Sequence, residues 1–142
     1  MRIALGSDEK TGLTDALERE LAARGHEIVR YGALATNEDD SWPAVGRCVG
    51  EAVARGDCDF GIVCCWTGTG VSIAANKVSG VRAALCSDAQ TAGGARTWND
   101  ANVLALSLRA TTSAIAAEML DAWFAAQPTT DEKYAAMIAQ VP

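Results

Sequence analysis

The chain has 142 residues, 49% of them apolar, enough to bury a core of its own, and we read residues 1–142 as one domain. A formal charge of −6 argues against nucleic acid as a partner, and any bound anion must be held by local donors because the overall field repels it. No apolar run approaches the ~20 residues of a membrane span.

Ile3 and Leu5 predict a first strand over 2–7, which also reads as too short and strand-like for a signal peptide. Leu13, Leu17 and Leu21 recur every four residues and predict a helix over 11–24, stopped at Gly25. A second strand is expected over 26–32 around Ile28 and Val29, with His26 a surface residue at its start. The polar stretch 35–41, including Glu38, Asp39 and Asp40, reads as a solvated loop. Trp42-Pro43 starts a helix that runs to Arg55 and stops at Gly56. A third strand spans 59–65, and a Gly/Thr loop leads to a short helix over about 71–77. The fourth strand is expected over 81–86, and Asp88 caps a helix over 89–97. A fifth strand spans 102–106, Thr111 or Thr112 caps a helix over 113–126, and one more helix is expected within 131–139. Five short apolar strands alternating with helices imply an α/β fold, a parallel sheet covered on both faces.

Ligands of such sheets bind beyond the carboxyl ends of the strands. Asp8, the loop after Cys65, Asp88 and the stretch Ser107 to Arg109 all fall there. The run Cys65-Trp66-Thr67-Gly68-Thr69-Gly70-Val71-Ser72 carries the most information. Two glycines let the backbone turn sharply and bring N–H groups close to a ligand. The helix start adds unpaired N–H donors and positive dipole character. Such a loop suits a bound anion or an oxyanion formed during reaction. A cysteine at its mouth gains thiolate character in that field.

The cysteines are Cys48, Cys58, Cys64, Cys65 and Cys86. An odd number in an unsignalled chain favours reduced thiols and a cytoplasmic location. No Cys-x-x-Cys pair occurs and His26 is the single histidine, so neither a metal nor a cofactor is expected.

Four blocks together resemble the type B ribose-5-phosphate isomerase family, which includes the galactose-6-phosphate isomerases. They are Gly6-Ser7-Asp8, Cys65 through Lys77, Gly80 through Cys86, and Asn99 through Leu106. The resemblance spans roughly residues 1–126. It implies a three-layer α/β/α sandwich with a five-stranded parallel sheet, Rossmann-like, and an aldose–ketose isomerisation through an enediolate without metal. It also implies a homodimer or homotetramer whose subunits share active sites. Cys65 matches the family's catalytic cysteine, Thr67 its loop threonine, and Gly68 and Gly70 its loop glycines; Thr69 and Ser72 belong to the same loop and helix start. Asp8 and Asn99 match sugar-contacting positions and Arg109 an arginine that contacts phosphate.

The departures are as informative. Glu9 stands where the family usually has histidine after the first-strand aspartate. Trp98 stands where it carries a ring-opening histidine, and an indole can donate a hydrogen bond but cannot shuttle a proton. Trp66 replaces the first loop glycine, and the tail around Lys133 lacks the family's phosphate-binding arginines. We expect a small sugar or sugar phosphate as substrate, with Cys65 as acid/base and the 67–70 loop as oxyanion hole. A four-carbon substrate would need no ring opener. The alternative is a family member that binds a sugar phosphate in a regulatory role.

The residues also have plain readings. Cys65 can be a packed thiol closing a strand, the Gly/Thr loop a tight turn, Asp8 a cap for the first helix, and Arg109 a surface cation. Arg96 and Lys10 are weaker anion candidates. Cys48, Cys58, Cys64 and Cys86 read as packing residues, with Cys64 facing away from Cys65. Trp66 and Trp98 form a pocket wall together or sit in the core. Trp42 and the apolar end of the helix over 113–126 are expected to supply the subunit contact.

Overall fold

A computed structural model describes all 142 residues. In chain order the elements are β1 (Arg2–Ser7), α1 (Gly12–Ala23), β2 (Glu27–Gly32), α2 (Trp42–Ala54), β3 (Phe60–Cys65), α3 (Thr69–Ala75), β4 (Ala83–Leu85), α4 (Ala89–Asn99), β5 (Val103–Ser107), α5 (Ser113–Ala125) and α6 (Glu132–Ile138). The strands form one parallel sheet in the order β2-β1-β3-β5-β4, with helices on both faces. This is the expected three-layer sandwich. No helix is long and apolar enough to cross a membrane.

Strand alternation divides the core. Ile3, Leu5, Ile62, Cys64, Leu104 and Leu106 face one side and pack with Leu13, Leu17 and Leu21 of α1 and Met119, Leu120 and Trp123 of α5. Ala4, Val63, Cys65, Val103 and Ala105 face the other and pack with Val45 and Val49 of α2 and Val71 and Ala75 of α3. Cys64 and Cys65 therefore belong to different halves, as their adjacency in a strand requires. β1, β3 and β5 are buried on both faces, which explains their nearly continuous apolar character, whereas the edge strands β2 and β4 are only partly buried.

Several boundaries shift for local reasons. Thr11, not Asp8, caps α1: its hydroxyl accepts from Thr14 N–H and the Thr14 hydroxyl accepts from Thr11 N–H, a reciprocal cap. Asp88 and Thr112 cap α4 and α5 as expected. α3 starts at Thr69 rather than 71, because Gly68 in the left-handed region (φ 75°) turns the chain straight into the helix. β4 keeps three residues of the six expected and forms the sheet edge. Its flanks are tied instead by side chains: Asn76 bridges both main-chain groups of Ala83, and Asn102 bonds Arg82 N–H and Gly80 C=O.

Two expectations are corrected. His26 is half-buried, not a free surface residue: its ring lies 4.5 Å from that of Phe124, because α5 ends over the start of β2, and its Nδ1 is buried without a partner. The end of α5 does not offer the apolar surface expected of a contact with another copy either, since Met119, Leu120 and Trp123 are buried in the chain's own core. The large exposed apolar side chains are instead Trp42, Trp66, Ile73, Leu85, Trp98, Met137, Val141 and Met1.

Candidate active site

The strand order reverses direction between β1 and β3, and a crevice opens at such a switch point beyond the carboxyl ends. β1 delivers Asp8 there and β3 delivers Cys65. Ser7 pairs with Cys64 in the register, and Asp8 N–H donates to Cys64 C=O at 3.4 Å, which sets the two site residues side by side. Ser7 is fully buried, and its hydroxyl donates to Glu9 C=O at 2.6 Å, fixing the turn that carries Asp8 and Glu9.

The loop after Cys65 is held from below. Cys65 C=O accepts from Gly68 N–H at 3.2 Å and Leu108 N–H at 2.9 Å. Trp66 C=O accepts from Arg109 N–H at 3.0 Å and from the Ser107 hydroxyl at 2.9 Å. The loop carbonyls are thus engaged with the end of β5. The first intrahelical bond of α3 runs from Ser72 N–H to Gly68 C=O, so the N–H groups of Thr69, Gly70 and Val71 take no acceptor in the chain. The hydroxyls of Thr67 and Thr69 are 2.7 Å apart. A Cβ on Gly68 would lie 2.8 Å from the Leu106 carbonyl carbon, and one on Gly70 2.9 Å from the Trp42 indole. Gly68 is therefore required by close approach to the Leu106 backbone, and Gly70 leaves the space that the Trp42 ring fills.

Charge at the crevice is acidic on the β1 side. Asp8 is half-buried with Oδ1 unpartnered, and its pKa is raised, first by burial and then by the negative charges of Glu9 and Asp40. Arg109 sits at the opposite edge of the loop, exposed, and its guanidinium enters none of the chain's ion pairs. Lys10 faces Glu18. Arg96 is no anion ligand: it is buried, paired with Asp100 at 2.8 Å and laid over the Phe60 ring at 4.6 Å. Asp88 is engaged by Thr91 as a cap. Burial drives the thiols of Cys64, Cys58 and Cys86 upward, Cys86 to about 11, consistent with packing roles. Cys65 is buried to 5% exposure, and Cys48 is half-buried.

Asp8, Glu9, Cys65, Thr67, Gly68, Thr69, Gly70, Ser72 and Arg109 gather at this end of the sheet. Trp98 and Asn99 do not. α4 runs back along the sheet, and Trp98 and Asn99 line a groove along the β4 edge with Ala84, Leu85 and Cys86, not the loop after Cys65. The Trp98 indole folds over Gly94, one turn back. Trp66 and Trp98 are both exposed, 58% and 51%, so neither is core and the two do not pack together within the chain. Sequence reasoning missed Trp42 as a site residue. It reads as a helix start, but its ring lies across Gly70 and walls the loop. Only the glycine hinted at an approach, and nothing local named the approaching group.

The family model described as Ribose/Galactose Isomerase matches residues 3–141. This chain belongs to that family. It is 39% identical over 127 residues to ribose-5-phosphate isomerase B of Escherichia coli (strain K12), covering 89% of this chain and 85% of that protein. It is 36% identical over 132 residues to D-erythrulose-4-phosphate isomerase of Pectobacterium atrosepticum, covering 89% and 84%. The structure of Clostridium thermocellum ribose-5-phosphate isomerase B superposes with a TM-score of 0.90 at 37% identity, covering 99% of this chain and 95% of that chain. The chain is an aldose–ketose isomerase of the type B ribose-5-phosphate isomerase family, acting on sugar phosphates.

Proposed function

We propose that this isomerase interconverts a short, acyclic aldose phosphate and its ketose, of the four-carbon class, in sites shared between two subunits. The Cys65 thiolate takes the proton from the carbon next to the carbonyl. The electron pair moves to the carbonyl oxygen, and the enediolate forms against the free N–H groups of Thr69, Gly70 and Val71. The thiol then returns the proton to the neighbouring carbon while a proton passes between the two oxygens, with the linked hydroxyls of Thr67 and Thr69 within the loop to carry it. Asp8 receives a sugar hydroxyl. Arg109, free of carboxylate partners, receives the phosphate.

One observation supports the substrate class most directly: indoles crowd the places where a longer sugar would need room and a ring opener. The Trp42 ring stands over Gly70 of the loop, Trp66 is an exposed member of that loop, and Trp98 is exposed at the end of α4. A tetrose 4-phosphate cannot close a stable ring through its phosphorylated oxygen, so it needs no proton shuttle at position 98. The erythrulose phosphate isomerase among the relatives fits this reading. The placement of Trp98 and Asn99 away from the loop after Cys65 within one chain supports a site completed by a second copy.

The test is kcat/KM on ribose 5-phosphate and on erythrose or erythrulose 4-phosphate, side by side, for the native enzyme and Trp98→His. The native enzyme is expected to prefer the four-carbon sugars by at least about tenfold, and Trp98→His to gain on ribose 5-phosphate. A native kcat/KM on ribose 5-phosphate above ~10⁴ M⁻¹s⁻¹, and above that for the tetroses, would overturn the assignment.

A further inference from the structure

The corner that ends α4 is gripped harder than a surface turn requires. Asp100 follows Asn99 in the left-handed conformation (φ 45°, ψ 43°), one that aspartate tolerates better than most residues. Its carboxylate lies between two arginines: Oδ1 accepts from Arg96 Nη1 at 2.8 Å and Oδ2 from Arg82 Nη2 at 3.1 Å. Its carbonyl accepts from Arg82 Nε at 2.8 Å. Arg96 also donates to Ala101 C=O at 2.8 Å, and its buried guanidinium rests on Phe60 at 4.6 Å and Trp123 at 5.7 Å, so the clamp is anchored in the core. Arg82 is anchored through its own N–H to Asn102 Oδ1 at 2.8 Å. Charge-assisted bonds of this kind are short and directional. Two cationic arms and one carbonyl contact fix the backbone at Asp100 in both direction and roll. The residues leaving that fixed point are Trp98 and Asn99, both exposed.

We infer that Asp100 is a positioning residue that acts in trans: held between Arg82 and Arg96, it aims Trp98 and Asn99 of one subunit into the site built on the partner's Cys65. The inference rests on the shared-site reading above. Within one chain the residues the clamp aims line a groove with Ala84, Leu85 and Cys86 and not the loop after Cys65, so the reacting group they serve belongs to a second copy. A displacement near 1 Å at such a contact costs about 100-fold in rate. Asp100→Asn keeps a residue that tolerates the left-handed turn but places a neutral amide between two cations. Its kcat/KM is expected to fall about 10- to 100-fold.

The decisive experiment is intersubunit complementation with two differently tagged chains, purified as heterodimers. In a Cys65→Ala/Asp100→Asn heterodimer, trans action puts both lesions in one site and leaves the other intact, giving about half the native activity per dimer. Cis action leaves no intact site, and activity stays at the level of the two parent homodimers. A Cys65→Ala/Asn99→Ala heterodimer runs in parallel to test the shared site itself. Recovery in both pairs supports the inference. Recovery in the Asn99 pair alone overturns the role of Asp100 while the shared site stands, and recovery in neither overturns both. A fully active Asp100→Asn homodimer also overturns it. If Asp100→Asn does not fold, as judged by near-ultraviolet circular dichroism, Arg82→Met takes its place in the same pair and the same outcomes decide.

Discussion

Gly68→Ala puts a methyl group where neither the backbone conformation nor the space admits one. At φ 75° an L-residue is in the left-handed region, at a cost of about 1–2 kcal/mol. The methyl would lie 2.6 Å from Leu85 Cδ1, and 2.8 and 2.9 Å from the carbonyl carbon and oxygen of Leu106. Leu85 is an exposed side chain on the sheet edge and can swing aside. Leu106 cannot, because it pairs with Cys64 in the middle of the sheet. The loop must therefore lift, and overpacking of this kind costs about 1–3 kcal/mol more. The sum is about 2–5 kcal/mol, or a fall in Tm of roughly 6–15 °C at ~3 °C per kcal/mol for a chain of this length. Gly80→Ala is the matched control: φ is 83°, but no atom lies within 4 Å of the added methyl, so only the conformational cost of about 1–2 kcal/mol applies. Under the proposed mechanism, lifting the loop also displaces its N–H donors from the developing oxyanion, which should lower kcat/KM by about 100-fold, whereas Gly80→Ala leaves it near native. Urea melts give the stabilities, and initial rates at a temperature where both variants are folded give the kinetics. Equal stability for the two variants, or native kcat/KM in Gly68→Ala, would refute the account of the loop.

Asp8→Asn should stabilise the fold while impairing turnover. The raised pKa means that the folded chain disfavours the ionised carboxylate, so Asp8 subtracts stability once the pH exceeds its unfolded value of 3.8. The variant should therefore melt higher at pH 7, with the gain gone below pH 3.8, and a variant that melts lower at pH 7 would contradict this. His26 has its pKa lowered by burial, then by the positive charges of the N-terminus and Arg24, so stability should hold above pH 6.5 and decline as the pH falls below it. His26→Gln should flatten that acid limb in thermal melts taken from pH 7.5 to 5. Cys64→Ala should cost about 1 kcal/mol of stability and leave kcat near native, because its thiol is sealed in the α1/α5 half of the core.

The fold was legible because each strand is a short apolar run and each helix carries its own start and stop signals. Asp88, Thr112 and the leucine row of α1 suffice to place their elements. The candidate site was legible where it is local: Cys65 and its loop are one continuous segment at a strand end. What escaped is what depends on distant elements meeting. The indole of Trp42 reaches Gly70 across two helices, and the grip of Arg82 and Arg96 on Asp100 joins a strand edge to a helix end. His26 reads as a surface residue because Phe124, which covers it, lies 98 positions away along the chain (124 − 26).

The central claim is that Cys65 moves the proton. It is tested most directly by following deuterium entry from D₂O into the carbon next to the carbonyl of a tetrose 4-phosphate by NMR, with native enzyme, Cys65→Ala and Cys64→Ala. Native enzyme and Cys64→Ala should catalyse exchange, and Cys65→Ala should catalyse none above the uncatalysed rate while binding the sugar phosphate with undiminished affinity. Exchange by Cys65→Ala at the native rate would remove Cys65 from the mechanism and leave the loop as a binding site alone.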